Sequence, residues 1–107
     1  CTYCVTTFTT DMANRDADVR VRMFAHGLGI PEDPATGSAN GALGAYLVKY
    51  GVFTEAVNGT ITIQSEQGIE MGRPSQIQIE VTGNAKNITL VRVGGSVVPL
   101  IKGTMSW

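Results

Sequence analysis

Residues 38–50, SANGALGAYLVKY, have the length and residue types of a helix, and Lys49 is the only charged member. A helix apolar on nearly every side shows no solvent stripe, which predicts burial all round rather than a seat on one side of a sheet. The rest of the chain then has to supply a surface that surrounds it. Gly41 and Gly44 lie three apart on one helix face, and each costs about 1 kcal/mol relative to alanine. Close approach of a strand to the helix backbone is the reading we favour for them. Gly51 stands where a left-handed residue ends a helix.

The flanking sequence supplies strands. Residues 5–10 are rich in threonine and β-branched types. Val19, Val21 and Met23 then alternate with Arg20, Arg22 and Phe24 in a second strand running into His26-Gly27. Residues 27–37 hold three glycines and two prolines and read as a loop of defined shape. Beyond the helix the period is two, over 60–64 and again over 76–82. Gly83-Asn84 marks a reversal, and strands at 88–93 and 97–101 flank Gly94-Gly95, a pair suited to a tight hairpin. About six strands polar on alternate positions bury one face only. The expected fold is therefore α+β, a curled antiparallel sheet wrapped around one central buried helix.

Length and composition bound the rest. A chain of 107 residues is one domain, 1–107, without room for a second core. At 43% hydrophobic and 16% charged, with net charge −1, it offers no electrostatic reason to bind nucleic acid or an anionic membrane. No apolar run approaches the ~20 residues that span a bilayer, and no signal peptide is visible, so the default compartment is the cytoplasm. The chain opens on Cys1 rather than methionine, as a fragment, a processed product or a trimmed chain would. Cys1 and Cys4 form C-T-Y-C, but β-formers follow where a redox motif has a helix. Zinc wants about four ligands and His26 is the only histidine, so both cysteines read as ordinary strand residues. The sequons at Asn58 and Asn87 read as turn and strand polar residues.

The chemistry gathers at the helix entrance: Glu32, Asp33, Thr36, Gly37 and Ser38, where first-turn N–H groups are free to meet an anion. Proline disfavours the α region for its predecessor, so Asp33 is held extended before Pro34 and its carboxylate has a fixed direction. Thr36 or Ser38 can cap the helix. Acids near a helix start contribute ~0.3–1 kcal/mol by capping alone, yet the whole group exceeds what one cap requires. A phosphate loop is excluded by the missing G-x-x-x-x-G-K-[ST]. A serine-hydrolase elbow fails because residues 37–41 lack the glycine two before Ser38. His26, alone in a loop, reads as polar surface.

The run from Gly29 to Gly41, with its EDPATGSA core, resembles the C-terminal half of PhzF-like (phenazine biosynthesis-like) proteins. Arg22-Met23-Phe24 before it, and Gln67-Gly68 and the MGRPS block at 71–75 after it, fit the same pattern. These proteins belong with the diaminopimelate epimerase fold. The resemblance covers nearly all of this chain but only the second half of a typical member. It implies two similar halves, each a curled sheet around a helix, with the active site in the cleft between them. It implies an isomerase that moves a proton on a small carboxylic acid without metal or cofactor. On the matching positions Asp33 would be the acid of this half and Ser38 a hydrogen-bond donor. Thr36, Gly37, Ser38 and Ala39 would line the substrate, with backbone N–H groups around Gly37 and Ser38 holding an oxyanion or carboxylate. Related epimerases carry a catalytic cysteine at the Thr36 position, and threonine excludes two-thiol chemistry here.

The N-terminal half with its catalytic glutamate is missing from these residues. Glu32, pointing opposite to Asp33 in an extended segment, is no replacement. The site is then completed either by an N-terminal half or by a second copy in a homodimer. A stand-alone homodimeric small-molecule (carboxylate) binding or structural module without catalysis is the alternative. Arg73 reads as a turn residue beside Pro74 in preference to an anion contact, and the strand ending at Trp107 pairs either within this domain or across to a partner half.

Overall fold

The computed structural model describes residues 3–11 and 16–107. Its elements run β1 (Val5–Thr9), β2 (Val19–Ala25), a short 3-10 turn (His26–Leu28), β3 (Ile30–Asp33), α1 (Gly37–Lys49), β4 (Thr60–Gln67), β5 (Ser75–Asn84) and β6 (Asn87–Gly94). They form an α+β fold, with the six strands in one sheet ordered β1-β2-β4-β5-β6 and β3 paired to β2. Of the C-T-Y-C motif, Cys1 lies outside the described residues, and Cys4 sits half-buried just before β1. No helix among the described residues is long and apolar enough to cross a membrane.

The sheet is mixed, which corrects the all-antiparallel expectation. β2 and β4 are parallel, with Val19, Val21 opposite Ser65, Gln67. A parallel pair needs a crossover, and the segment containing α1 supplies it. The residues 27–37 expected as loop contain β3, whose Pro31 is tolerated in a short strand away from a full ladder. The strand expected at 97–101 is absent. β6 ends at Gly94, and Val97, Val98, Leu100 and Ile101 are 79–94% exposed beyond it. Gly94-Gly95 therefore makes no hairpin, whereas the reversal after Gly83-Asn84 does join β5 to β6.

One arrangement on β2 positions everything that follows. β4 runs alongside it to end with Gln67 opposite Val21, while antiparallel β3 comes from the other direction to end with Asp33 opposite Met23. Two strand ends thus converge on one stretch of β2. Arg22, between those pairing positions, donates from Nε and Nη2 to the two carboxylate oxygens of Glu32 at 2.9 and 3.0 Å. This fork-to-fork ion pair ties β3 to β2 one residue before Asp33.

α1 lies on one face of the sheet, packed mainly against β5 and β6. Asn40, Leu43, Gly44, Leu47 and Val48 are buried at helical spacing, and Leu43, Leu47 and Val48 form one core with Val19, Val21, Ile61, Ile63, Ile77, Ile79 and Val81. The expectation of burial on every face is thus corrected: Ser38, Ala42, Tyr46, Lys49 and Tyr50 face outward. Apart from Lys49, the outer side is small or aromatic rather than charged. The Tyr46 ring packs against Tyr50 at 4.6 Å with the rings tilted by 46° and meets Phe8 of β1 edge-on at 6.2 Å, which shields part of that side without a covering layer. Gly41 and Gly44 are where strands come closest to the helix. A Cβ on Gly41 would stand 3.3 Å from Val93 Cγ2, and one on Gly44 would overlap Ile79 Cγ2.

Two expectations follow. Gly44→Ala gains about 1 kcal/mol of helix propensity but overpacks against fully buried Ile79, at a cost of about 1–3 kcal/mol. Urea unfolding should therefore show the variant at least as unstable as the parent, with Gly41→Ala the milder of the two; a clear gain for Gly44→Ala would refute the packing. The second concerns Glu32, whose carboxyl the Arg22 hydrogen bonds hold below the ordinary glutamate range, Arg22 moving up in return. A depressed acid contributes stability that is present above its unfolded pKa and lost as pH falls through the folded one. Carbon-detected NMR titration should place Glu32 low in the parent chain and return it to the ordinary range in Arg22→Gln.

Candidate active site at the entrance of the helix

Thr36 is the N-cap residue of α1 by backbone conformation (φ −124°, ψ 99°), and its carbonyl accepts from the Asn40 backbone N–H at 3.1 Å. Neither Thr36 nor Ser38 caps the helix with its side chain. The Thr36 hydroxyl instead donates to Asp33 Oδ2, in a short contact across three residues. The first-turn N–H groups of Gly37, Ser38 and Ala39, which have no partner inside a helix, are left without a side-chain cap. Gly37 and Ser38 are exposed, so the positive end of the helix faces solvent.

The loop from Asp33 to Thr36 is held from beneath by Gln67, which is fully buried. Its Nε2 donates to the Asp33 carbonyl at 2.7 Å and to Thr36 Oγ1 at 3.0 Å. Its Oε1 accepts from the Thr36 N–H at 3.2 Å and from Asn40 Nδ2 at 2.8 Å. Asn40, also fully buried, donates a second time to the Thr36 carbonyl at 2.9 Å. Gly68 follows with φ +82°, and a Cβ there would stand 2.8 Å from the Pro34 carbonyl and collide with that of Arg73. This glycine is required by both its left-handed backbone and the close approach of two loops.

Beside the entrance lies an open cleft of about 540 Å³, lined by Ala35 and Gly37 on one side and Pro74, Ser75, Gly94 and Ser96 on others. A second open cleft of similar size occupies the polar outer face of the sheet among Gln64, Gln76, Gln78, Glu80 and Arg92. Only the first borders the helix N-terminus. Of the residues expected at the site, Asp33 and Thr36 are joined in one hydrogen-bonded unit and Gly37 borders the cleft; Asp33, Ser38 and Ala39 are not among its walls. Glu32 is committed to Arg22, and His26 is exposed in the turn before β3. Arg73 is exposed, its N–H closing a turn onto the Gly68 carbonyl at 3.0 Å.

Asn40 and the supporting role of Gln67 are absent from the sequence reading, although each had a signal. Counting by twos from Ile61 and Ile63 carries the core-facing register of β4 through Ser65 to Gln67, and counting back from Leu43, Gly44 and Leu47 puts Asn40 on the buried helix face. A polar side chain at such a position must find hydrogen bonds inside.

Comparison with known proteins bears on what this arrangement is. The chain is 35% identical to an uncharacterised isomerase of Clostridium acetobutylicum over 88% of its own length and 32% of the relative's. It is 37% identical to the trans-2,3-dihydro-3-hydroxyanthranilate isomerase of Pseudomonas fluorescens, over 80% of this chain and 30% of that protein. A crystal structure of a Bacillus anthracis phenazine biosynthesis protein of the PhzF family superposes with a TM-score of 0.64 at 25% identity, covering 78% of this chain and 27% of that one. The chain thus spans about a third of the length of the curated relatives it matches. The family model described as phenazine biosynthesis-like protein matches residues 1–103, and the chain belongs to that family, PhzC-PhzF.

Proposed function

We propose that this chain is the C-terminal half-site of a PhzF-like isomerase and takes part in cofactor-independent proton transfer on a small carboxylic acid. The observation that carries the reading is the pairing of an oriented acid with an open helix N-terminus. The Asp33 carboxylate is engaged by Thr36 on Oδ2, and the adjoining first turn carries no side-chain cap. In the proposed reaction the substrate carboxylate is held by the N–H groups of Gly37, Ser38 and Ala39 and by the Ser38 hydroxyl, where the helix dipole favours negative charge. A C–H proton leaves for one acid–base group, its electron pair spreads into the conjugated system, and a proton returns at another carbon. No electrons are gained or lost, so the step needs two acid–base groups and nothing redox-active. Asp33 is the group of this half. The opposing group belongs to a second half of the natural protein or to a second copy of this chain.

Several observations favour a second body. The relatives named as isomerases are about three times as long as the stretch matched here. β1 and β6 are the two ends of an open sheet, and the apolar residues 97–101 extend exposed beyond β6. Because the proposed halves are alike, a homodimer would set two Asp33 loops across one cleft. The alternative is the same assembly binding a carboxylate without turnover.

The test uses trans-2,3-dihydro-3-hydroxyanthranilate, the acid in the names of relatives, in D2O, with deuterium uptake followed by proton NMR. Asp33→Asn should slow exchange by about 10²–10⁴-fold, the range for removing an acid–base group, while leaving binding of the acid within a few-fold. An unchanged exchange rate would show that Asp33 is not the acid. Light scattering at high micromolar concentration should give a dimer mass for the chain alone. A monomer would remove self-pairing and assign the opposing wall to a separate half.

A further inference from the structure

We infer that Gln67 is the positioning residue of this site: its buried carboxamide points the Thr36 hydroxyl proton at Asp33 and so keeps the helix entrance uncapped. The inference deepens the proton-transfer reading and rests on it for its catalytic meaning, though the hydrogen-bond direction can be tested alone.

Donor and acceptor chemistry fixes every proton in the cluster. A backbone N–H only donates and a backbone carbonyl only accepts. The Thr36 N–H at 3.2 Å therefore marks the Gln67 oxygen, and the Asp33 carbonyl at 2.7 Å marks its nitrogen. The carbonyl oxygen takes a second bond from Asn40 Nδ2 at 2.8 Å, and the second hydrogen of Nε2 goes to Thr36 Oγ1 at 3.0 Å. Both donors and both acceptor sites of the amide are then used, as a fully buried group requires. Thr36 Oγ1 has a single hydrogen. Receiving one from Gln67, it turns its own toward Asp33 Oδ2, which accepts it. The same engagement takes the hydroxyl away from the helix first turn, where an N-cap threonine ordinarily bonds. One amide thus aims the acid and leaves the N–H groups of Gly37 and Ser38 for a ligand.

Glutamate at 67 is nearly isosteric and reverses the direction. A carboxylate would face the Asp33 carbonyl with a second acceptor and draw the Thr36 hydrogen to itself. Thr36→Val breaks the same chain one link later and leaves Gln67 in place, so it serves if Gln67→Glu does not fold. In the exchange assay with trans-2,3-dihydro-3-hydroxyanthranilate, each substitution should lower kcat at least ~10-fold with KM within about 3-fold. The double variant should be no slower than the slower single, because both cut one relay. Multiplying effects would overturn the inference, as would a loss confined to KM.

Two NMR signals of the labelled chain decide it without turnover. In the parent chain the Gln67 side-chain NH2 protons should exchange with water far more slowly than those of exposed Gln78. The Asp33 13Cγ resonance at neutral pH should move in Thr36→Val and stay in place in Thr89→Ala, a substitution at an exposed position of β6. Fast-exchanging Gln67 protons, or an unmoved Asp33 resonance, would refute the relay whatever the enzyme does. Slow exchange and a moved resonance in a chain that never exchanges substrate would sustain the relay and sink the proton-transfer reading instead.

Discussion

The hydrogen-bonded carboxamide of Gln67 is the point at which sheet, loop and helix meet. β4 delivers it to the end of the strand opposite Val21, β3 delivers Asp33 opposite Met23, and α1 begins just after Thr36, the N-cap residue whose N–H the amide accepts. None of these elements fixes the loop alone. The segment from Asp33 to Thr36 is too short for its own ladder, and a buried amide left with unmet donors would cost about 1–3 kcal/mol per group. That penalty acts in reverse on the loop: any displacement strands two donors and two acceptors at once. Gly68 permits the arrangement, because a side chain there would occupy the space of the Pro34 and Arg73 carbonyls. The candidate site therefore owes its geometry to the end of a strand, while its acid and its hydroxyl sit on a loop.

The same economy appears in the seating of the helix. Gly44 brings the α1 backbone onto Ile79, and the buried spacing Leu43, Leu47, Val48 closes the core on one side only. A helix that presses its backbone into the sheet has its entrance set by that contact as much as by its cap. The direction of its first-turn N–H groups is thus rigid before any ligand arrives, which is what electrostatic recognition of an anion needs. The Arg22–Glu32 pair does the equivalent for the acid, since it holds the residue next to Asp33 against β2.

Much of this is legible in the chain, and the failures have physical causes. The helix at residues 38–50, the alternating strands and the crowded entrance follow from period and residue type. The parallel pairing of β2 with β4 does not, because alternation tells which face a residue occupies and nothing about strand direction. Counting apolar residues overstated the burial of α1: alanine, glycine and tyrosine are apolar by class yet tolerate solvent, as exposed Ala42, Tyr46 and Tyr50 show. β3 hid behind Pro31 and Pro34, and residues 97–101 read as a strand because β-propensity describes a fit to neighbours that this chain does not supply. At the site, acids and hydroxyls drew attention to residues 32–38. The amide that organises them lies some thirty residues away; Gln67-Gly68 fits the family pattern, but the only physical sign of its supporting role is a polar side chain in core register.

The exposed segment beyond β6 bears on the site through simple geometry. A compact chain of this length has a radius of gyration near 13 Å, whereas this one measures 15.2 Å with a long axis of 43 Å. Val97, Val98, Leu100 and Ile101 stand in solvent while the core closes without them. A contiguous apolar stretch of that kind is uncommon on a soluble surface that has no partner. The stretch begins where the cleft wall ends: Gly94, Gly95 and Ser96 border the space beside Gly37 and lead directly into Val97. In the proposed assembly, a body that covers the apolar segment meets the chain next to this wall. If that body also walls the open side of the cleft, the contact that buries the segment is the one that encloses a bound acid. Coupling of this kind would make partner binding and substrate enclosure one event, because displacing water from the cleft strengthens each hydrogen bond the helix N-terminus makes.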